Sequence, residues 1–166
     1  MKSLFLKAVF LFFFFVSCTA KEEVTTYYLI RHAEKDRTDA ANKNPSLNFK
    51  GEQRAQNWAE YFKDIPLDAV YSTKYYRTIE TATPTAKTKN LEVVFYDPRN
   101  MYDSIFQKDT KGKTVLVVGH SNTTPVFVNK ILGENKYEFM ADNDNSSLYI
   151  VTIKGDEKTS KIEKVD

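Results

Sequence analysis

The chain contains two histidines, His32 and His120, and each directly follows an apolar run, in LIRHAEK and in VLVVGHSN. A neutral imidazole is a competent nucleophile and proton carrier near neutral pH. In open α/β sheets ligands bind beyond the carboxyl ends of the strands, so histidines at two strand ends can face one pocket. A single histidine also reads as a structural residue, but two at the same kind of position point to chemistry. Arg31 precedes His32, and Arg77 lies in YSTKYYRTIETATP, just past a third strand-like run. Guanidinium forks match phosphate oxygens. Alone, either arginine reads as a solvated surface charge; beside two histidines they make an anion site. No close His-x-His or Cys pair is present, and Arg31 would repel a cation next to His32, so no metal or other cofactor is expected. A serine nucleophile is disfavoured, because there is no G-x-S-x-G elbow.

The surrounding pattern says what must hold these residues. Residues 24–30 (VTTYYLI), 69–71, 91–96 (LEVVFY) and 114–119 (TVLVVG) read as strands. The last is apolar throughout, as suits a central strand covered on both faces. Helices are predicted over 49–62, where Ala55, Trp58, Ala59 and Phe62 fall on one face, over 73–87 with a kink at Pro84, near 99–106, and over 125–132. Ser121 or Asn122 is placed to cap the last helix. Residues 148–153 and 162–165 close the chain as a hairpin around Gly155-Asp156. This order predicts an α/β fold: a three-layer α/β/α sandwich with a mostly parallel central sheet and an antiparallel edge.

At 166 residues, 42% hydrophobic and 28% charged, the chain suits one folded domain rather than disorder. The N-terminus has the layout of a signal peptide: Lys2, an apolar stretch to Val16 broken at Lys7, then small residues. Without Lys2 and Lys7 the 24 basic residues fall to 22, equal to the 22 acidic ones. A near-neutral body offers no electrostatic case for a nucleic-acid partner. Cys18 is the single cysteine, so it has no internal disulfide partner. Phe15-Val16-Ser17-Cys18 resembles a bacterial lipoprotein cleavage box, with Phe15 where Leu is usual. The resulting division is 1–17 signal peptide, 18–23 lipidated cysteine and tether, and 24–166 catalytic domain. The resemblance implies export and a lipid anchor in a bacterial membrane, facing the periplasm or exterior.

Four segments, spanning roughly residues 24–132, together resemble the histidine phosphatase superfamily in its compact, phosphoglycerate-mutase-like branch. LIRHAEKD is similar to the RHG signature with Ala33 in the glycine position; SLNFKGEQRA is similar to an L-T-x-x-G-x-x-Q-A segment, with Asn48 for Thr and Arg54-Ala55 for Gln-Ala. YSTKYYRTIETATPTA resembles the segment with the second arginine, and VVGHSN the one with the second histidine. The resemblance implies that His32 attacks phosphorus to form a phosphohistidine, that Arg31, Arg77 and His120 surround the phosphoryl group, and that water then releases phosphate. A leaving alkoxide also needs a proton. Asp97, after the third strand, is the family-like position for the acid, although it equally reads as a turn residue before Pro98. Glu34 is the alternative acid, and Glu80 a weaker one. Arg37 and Asn122 are candidate substrate contacts.

Hydrolysis of small phosphomonoesters without a metal is the leading expectation. A sugar-phosphate mutase lacks support, because the chain has none of the long insertions that would hold a substrate through transfer. A phosphohistidine protein phosphatase, a non-catalytic lipoprotein that binds a phosphorylated ligand, and a scaffold for protein partners are the alternatives. Retention of Arg31, His32, Arg77 and His120 together favours an enzyme over a binder.

Overall fold

The computed structural model describes residues 23–165. The expected signal peptide, the lipidation at Cys18 and the tether up to residue 22 lie outside them. The first four strands, β1 (Val24–Arg31), β2 (Ala69–Ser72), β3 (Val93–Phe95) and β4 (Thr114–Gly119), are each followed by a helix: α1 (Phe49–Tyr61), α2 (Tyr76–Thr88), α3 (Ser104–Thr110) and α4 (Thr123–Leu132). Strands β5 (Ser147–Lys154) and β6 (Glu157–Lys164) end the described chain as a hairpin. They assemble one sheet in the order β3-β2-β4-β1-β5-β6. The first four strands pair in parallel, and β5 and β6 add an antiparallel edge.

The apolar runs of β1 and β4 are continuous because both faces of the sheet are covered. Alternate residues serve the two layers. Tyr27, Leu29, Val115 and Val117 pack with Phe106, Phe127 and Ile131 from α3 and α4. Ile30, Leu116 and Val118 pack with Trp58, Phe62, Ala82 and Ala86 from α1 and α2. Burying a large apolar side chain of this kind stabilises the fold by about 1.5–3 kcal/mol. The sequence prediction of three layers and a mostly parallel sheet is therefore met. Among the described residues no helix is long and apolar enough to cross a membrane.

Several boundaries differ from expectation: β3 keeps only Val93–Phe95 of the expected 91–96, and α2 starts at Tyr76 rather than at 73. β6 begins at Glu157 rather than at 162, since its pairing runs through backbone from Lys154↔Glu157 to Ser147↔Lys164 and needs no apolar face. The helix expected near 99–106 is α3 at Ser104–Thr110: Tyr102 takes a left-handed φ of 58°, and Asp103 caps the helix by accepting from the Phe106 N–H. At α4, Asn122 occupies the N-cap position but its side chain caps nothing; the Thr123 hydroxyl instead accepts from the His120 N–H. α2 runs through Pro84 without interruption.

Candidate active site

The register of the sheet brings the histidines together. β1 and β4 pair in parallel with Arg31 opposite Gly119, so the next residue on each strand is a histidine. The His32 N–H donates to the Gly119 carbonyl at 2.9 Å, and the two imidazole centroids lie 5.5 Å apart. His32 Nδ1 donates to the Ala33 carbonyl at 2.7 Å, which leaves Nε2 as the ring's free lone pair. Asn145 fixes the backbone here by donating from Nδ2 to the His32 carbonyl at 2.8 Å. Burial first, then the neighbouring His120, Arg31 and Arg77, pull the His32 pKa down to about 3. The ring is thus neutral over the physiological range, as attack through Nε2 requires.

His120 is held in turn from β2 and α2. Its Nδ1 lies 3.5 Å from Arg77 Nη2, which can only donate, so Nε2 carries the proton and donates to Thr73 Oγ1 at 2.9 Å. Thr73 passes its hydroxyl proton to Thr78 Oγ1, and Thr78 donates to the Thr73 and Tyr75 carbonyls. Burial first, then Arg77 and Arg31, pull the His120 pKa down to about 4.

Among the described residues five buried side-chain polar atoms lack a partner; Trp58 Nε1 and Thr85 Oγ1 are two, and the other three belong to Arg31 and Arg77. Arg31 Nη1 donates to the carbonyls of Ala141, Asp142 and Asp144, and Nη2 to the Asp142 carboxylate at 3.1 Å. Its Nε is buried without a partner, as are Nε and Nη1 of Arg77. Arg77 is braced by the Tyr75 ring, 4.6 Å below its guanidinium. Each buried donor left unpaired costs about 1–3 kcal/mol, and more when charged. An anion seated among Arg31, Arg77 and the two histidines would satisfy all three. Arg31 and His32 line an open cleft of about 940 Å³ together with Glu34, Lys35, Arg37 and Asp142 among others; Arg77 and His120 are not among its lining residues.

Other expected positions fall differently. Asp97 lies at the carboxyl end of β3 but lines a separate pocket with Tyr71, Phe95 and Ile105. Hydrogen bonds from Arg99 pull its pKa down to about 2, so it is an ionised surface partner and the structure does not place it as an acid in the cleft. Glu34 does line the cleft. Burial works to raise its pKa, but the hydrogen bonds from Arg54 and Lys50 outweigh that and hold it below its ordinary value. Glu80 accepts from the Leu47 N–H and lines a different pocket. Arg37 lines the cleft and pairs with Asp142. Asn122 is exposed and is not among the residues lining it. Lys35, Thr73, Asp142 and Asn145 also belong to the site's surroundings; their spacing in sequence carries no signal for it. Among the described residues no cluster of three His, Cys, Asp or Glu side chains is arranged to hold a metal ion.

Residues 27–98 match the model of the histidine phosphatase superfamily, branch 1. Over that segment the chain is similar to this superfamily. The segment contains Arg31, His32 and Arg77, and β4 delivers His120 from beyond it. Solved structures share the fold. The protein histidine phosphatase SixA complexed with tungstate aligns with a TM-score of 0.66 at 17% identity, over 84% of this chain and 96% of that one. The phosphoserine phosphatase of Entamoeba histolytica, in complex with phosphoserine, gives 0.65 at 14%, over 86% and 97%. A phosphoglycerate mutase from Bacillus anthracis gives 0.64 at 18%, over 87% and 93%. At these identities the likeness is one of fold. No curated protein matches the sequence.

The second segment of the superfamily pattern also acquires a physical reason. A Cβ on Gly51, in the first turn of α1, would stand 2.1 Å from the backbone oxygen of Glu34. Only glycine lets α1 approach the loop that follows His32. Asn48 caps the same turn, accepting from the Gly51 N–H, and its own N–H donates to the Glu34 carbonyl.

Proposed function

We propose that this chain is a histidine-phosphatase-superfamily phosphatase that hydrolyses small phosphomonoesters through a phosphohistidine on His32, without a metal. His32 Nε2 attacks phosphorus in line, and the bond from phosphorus to the leaving oxygen breaks. The equatorial oxygens take hydrogen bonds from Arg31 Nε and Arg77, which stabilise the charge that builds there, while His120 Nδ1 holds Arg77 Nη2 in place. Water then attacks the phosphohistidine, and inorganic phosphate leaves. The observation that carries the reading is the set of three buried, unpartnered guanidinium nitrogens converging beside a neutral imidazole. Phosphoserine bound to a neighbour of the same fold supports a small phosphorylated substrate.

The proposal includes export and anchoring through a lipidated Cys18. Its support is the sequence layout: Lys2, the apolar stretch to Val16, and one cysteine behind Phe15-Val16-Ser17.

The test is turnover of p-nitrophenyl phosphate by the full chain in detergent with a chelator present, wild type against His32→Ala. Turnover that survives chelation and is lost in the variant is the expected result. No turnover by a folded wild type that still binds inorganic phosphate would replace the enzyme with a binding protein. Cys18→Ala is expected to move the chain from the membrane fraction to the soluble one; an unchanged distribution would remove the anchor.

A further inference from the structure

An alkyl phosphate needs a proton on its leaving oxygen, and general acids supply roughly 10²–10⁴ in rate. The carboxyl groups near the cleft are poorly suited to give one. Asp97 is bound by Arg99, Glu34 by Arg54 and Lys50, and Asp142 by Arg37 and Arg31. Asp36 accepts from the Thr38 N–H. Lys35 differs from all of them. It lies three residues after His32, lines the same cleft, is half-buried, and its Nζ has no hydrogen bond or ion pair among the described residues. The groups that face it come from every side of the site: Arg31 from β1, Arg37 from its own loop, Arg77 from α2, His120 from beyond β4, and Asp142 from the loop before β5. In-line attack from His32 Nε2 puts the leaving oxygen on the far side of phosphorus, and His32 and Lys35 line one cleft.

Building on the phosphatase reading, we infer that Lys35 is the catalytic acid and protonates the leaving oxygen. As the Nε2–P bond forms, the electron pair of the P–O bond departs with the oxygen, which takes a proton from the Lys35 ammonium and leaves as the alcohol. The neutral amine then takes a proton from the water that attacks the phosphohistidine. Inorganic phosphate, free His32 and the ammonium are restored together. Burial, followed by Arg77 and Arg37, holds the Lys35 pKa below its ordinary value, which favours release of the proton.

The test is kcat/KM for a series of monophosphates from p-nitrophenyl through phenyl to alkyl, in wild type, Lys35→Arg and Lys35→Ala, with folding of each checked by thermal melts. Lys35→Arg keeps the charge, but a guanidinium does not give up its proton. Both variants are expected to lose about a hundredfold or more on the alkyl ester. On p-nitrophenyl phosphate, whose leaving group needs no proton, they should lose less than about tenfold. The alkaline limb of the wild-type alkyl profile should also vanish in both. Equal losses along the series, or full alkyl activity in Lys35→Arg, would overturn the inference and leave the phosphatase reading intact. A folded wild type that turns over no ester in the series would overturn both.

Discussion

Arg77 holds two buried guanidinium nitrogens without partners and rests on the Tyr75 ring. Replacing it with methionine keeps much of the stem's packing and removes both the unpaired donors and the positive charge. Unpaired buried donors cost about 1–3 kcal/mol, and the lost contact with Tyr75 is worth about 0.5–1 kcal/mol. The ligand-free Arg77→Met protein is therefore expected to be more stable than wild type, by on the order of 1 kcal/mol or a Tm rise of roughly 2–4 °C. Catalysis moves the other way. Two charge-assisted hydrogen bonds to the phosphoryl group, at about 1.5–3 kcal/mol each, sum to about 3–6 kcal/mol, a fall in kcat/KM of roughly 10²–10⁴. Thermal melts with and without inorganic phosphate, alongside p-nitrophenyl phosphate kinetics, read both effects. Phosphate should raise the wild-type Tm and leave that of the variant nearly unchanged. A variant that melts lower in buffer, yet is protected by phosphate as well as wild type, would show that Arg77 is a structural residue and refute the anion-site argument.

Four further outcomes follow from the same geometry. His32 and His120 are held neutral with pKa values near about 3 and 4, while an unfolded chain takes up those protons near the ordinary value of about 6.5. Their contribution to stability is accordingly complete above about pH 6.5 and is lost as pH falls from there toward about pH 3, and urea melts at about pH 7 and pH 5 should show a decline that shrinks in the His32→Ala, His120→Ala double variant. Thr73→Val removes the acceptor for His120 Nε2–H, worth about 1 kcal/mol, so kcat should drop roughly five- to tenfold, with Thr73→Ser restoring it. Gly51→Ala drives a Cβ into the Glu34 backbone oxygen and is expected to cost about 3 kcal/mol in urea denaturation, with activity falling alongside. Asp97→Asn should leave kcat within about twofold, because Asp97 pairs with Arg99 away from the cleft; a large loss would return Asp97 to the role of acid.

Much of the fold is legible in the sequence because burial on both faces writes itself into composition. TVLVVG can be apolar throughout only where layers cover both sides of a strand, and β4 lies between β2 and β1 with helices above and below. The spacing of Ala55, Trp58 and Ala59 marks the face that α1 buries. Elements held by backbone pairing leave no such trace. EKTSKIEK is charged along its length, yet pairs with β5 from end to end, and residues 157–161, most of β6, were invisible for that reason.

The same division runs through the site. Residue type and position near strand ends brought Arg31, His32, Arg77 and His120 forward together, and the structure gathers these four side chains at one edge of the sheet. The acid depends on which side chain finds a counter-charge, and that is a property of the assembled surface. Asp97 sits at the expected edge but meets Arg99, and Glu34 meets Arg54 and Lys50. Among the described residues Lys35 Nζ is left without a hydrogen-bond or ion-pair partner, because the nearby carboxylate, Asp142, arrives on a loop more than a hundred residues later and pairs with Arg31 and Arg37. Sequence thus determined which groups could take part in phosphoryl transfer and the sheet edge that carries them. Tertiary structure alone decided which charges are neutralised, which are left free, and the protonation state that each histidine holds.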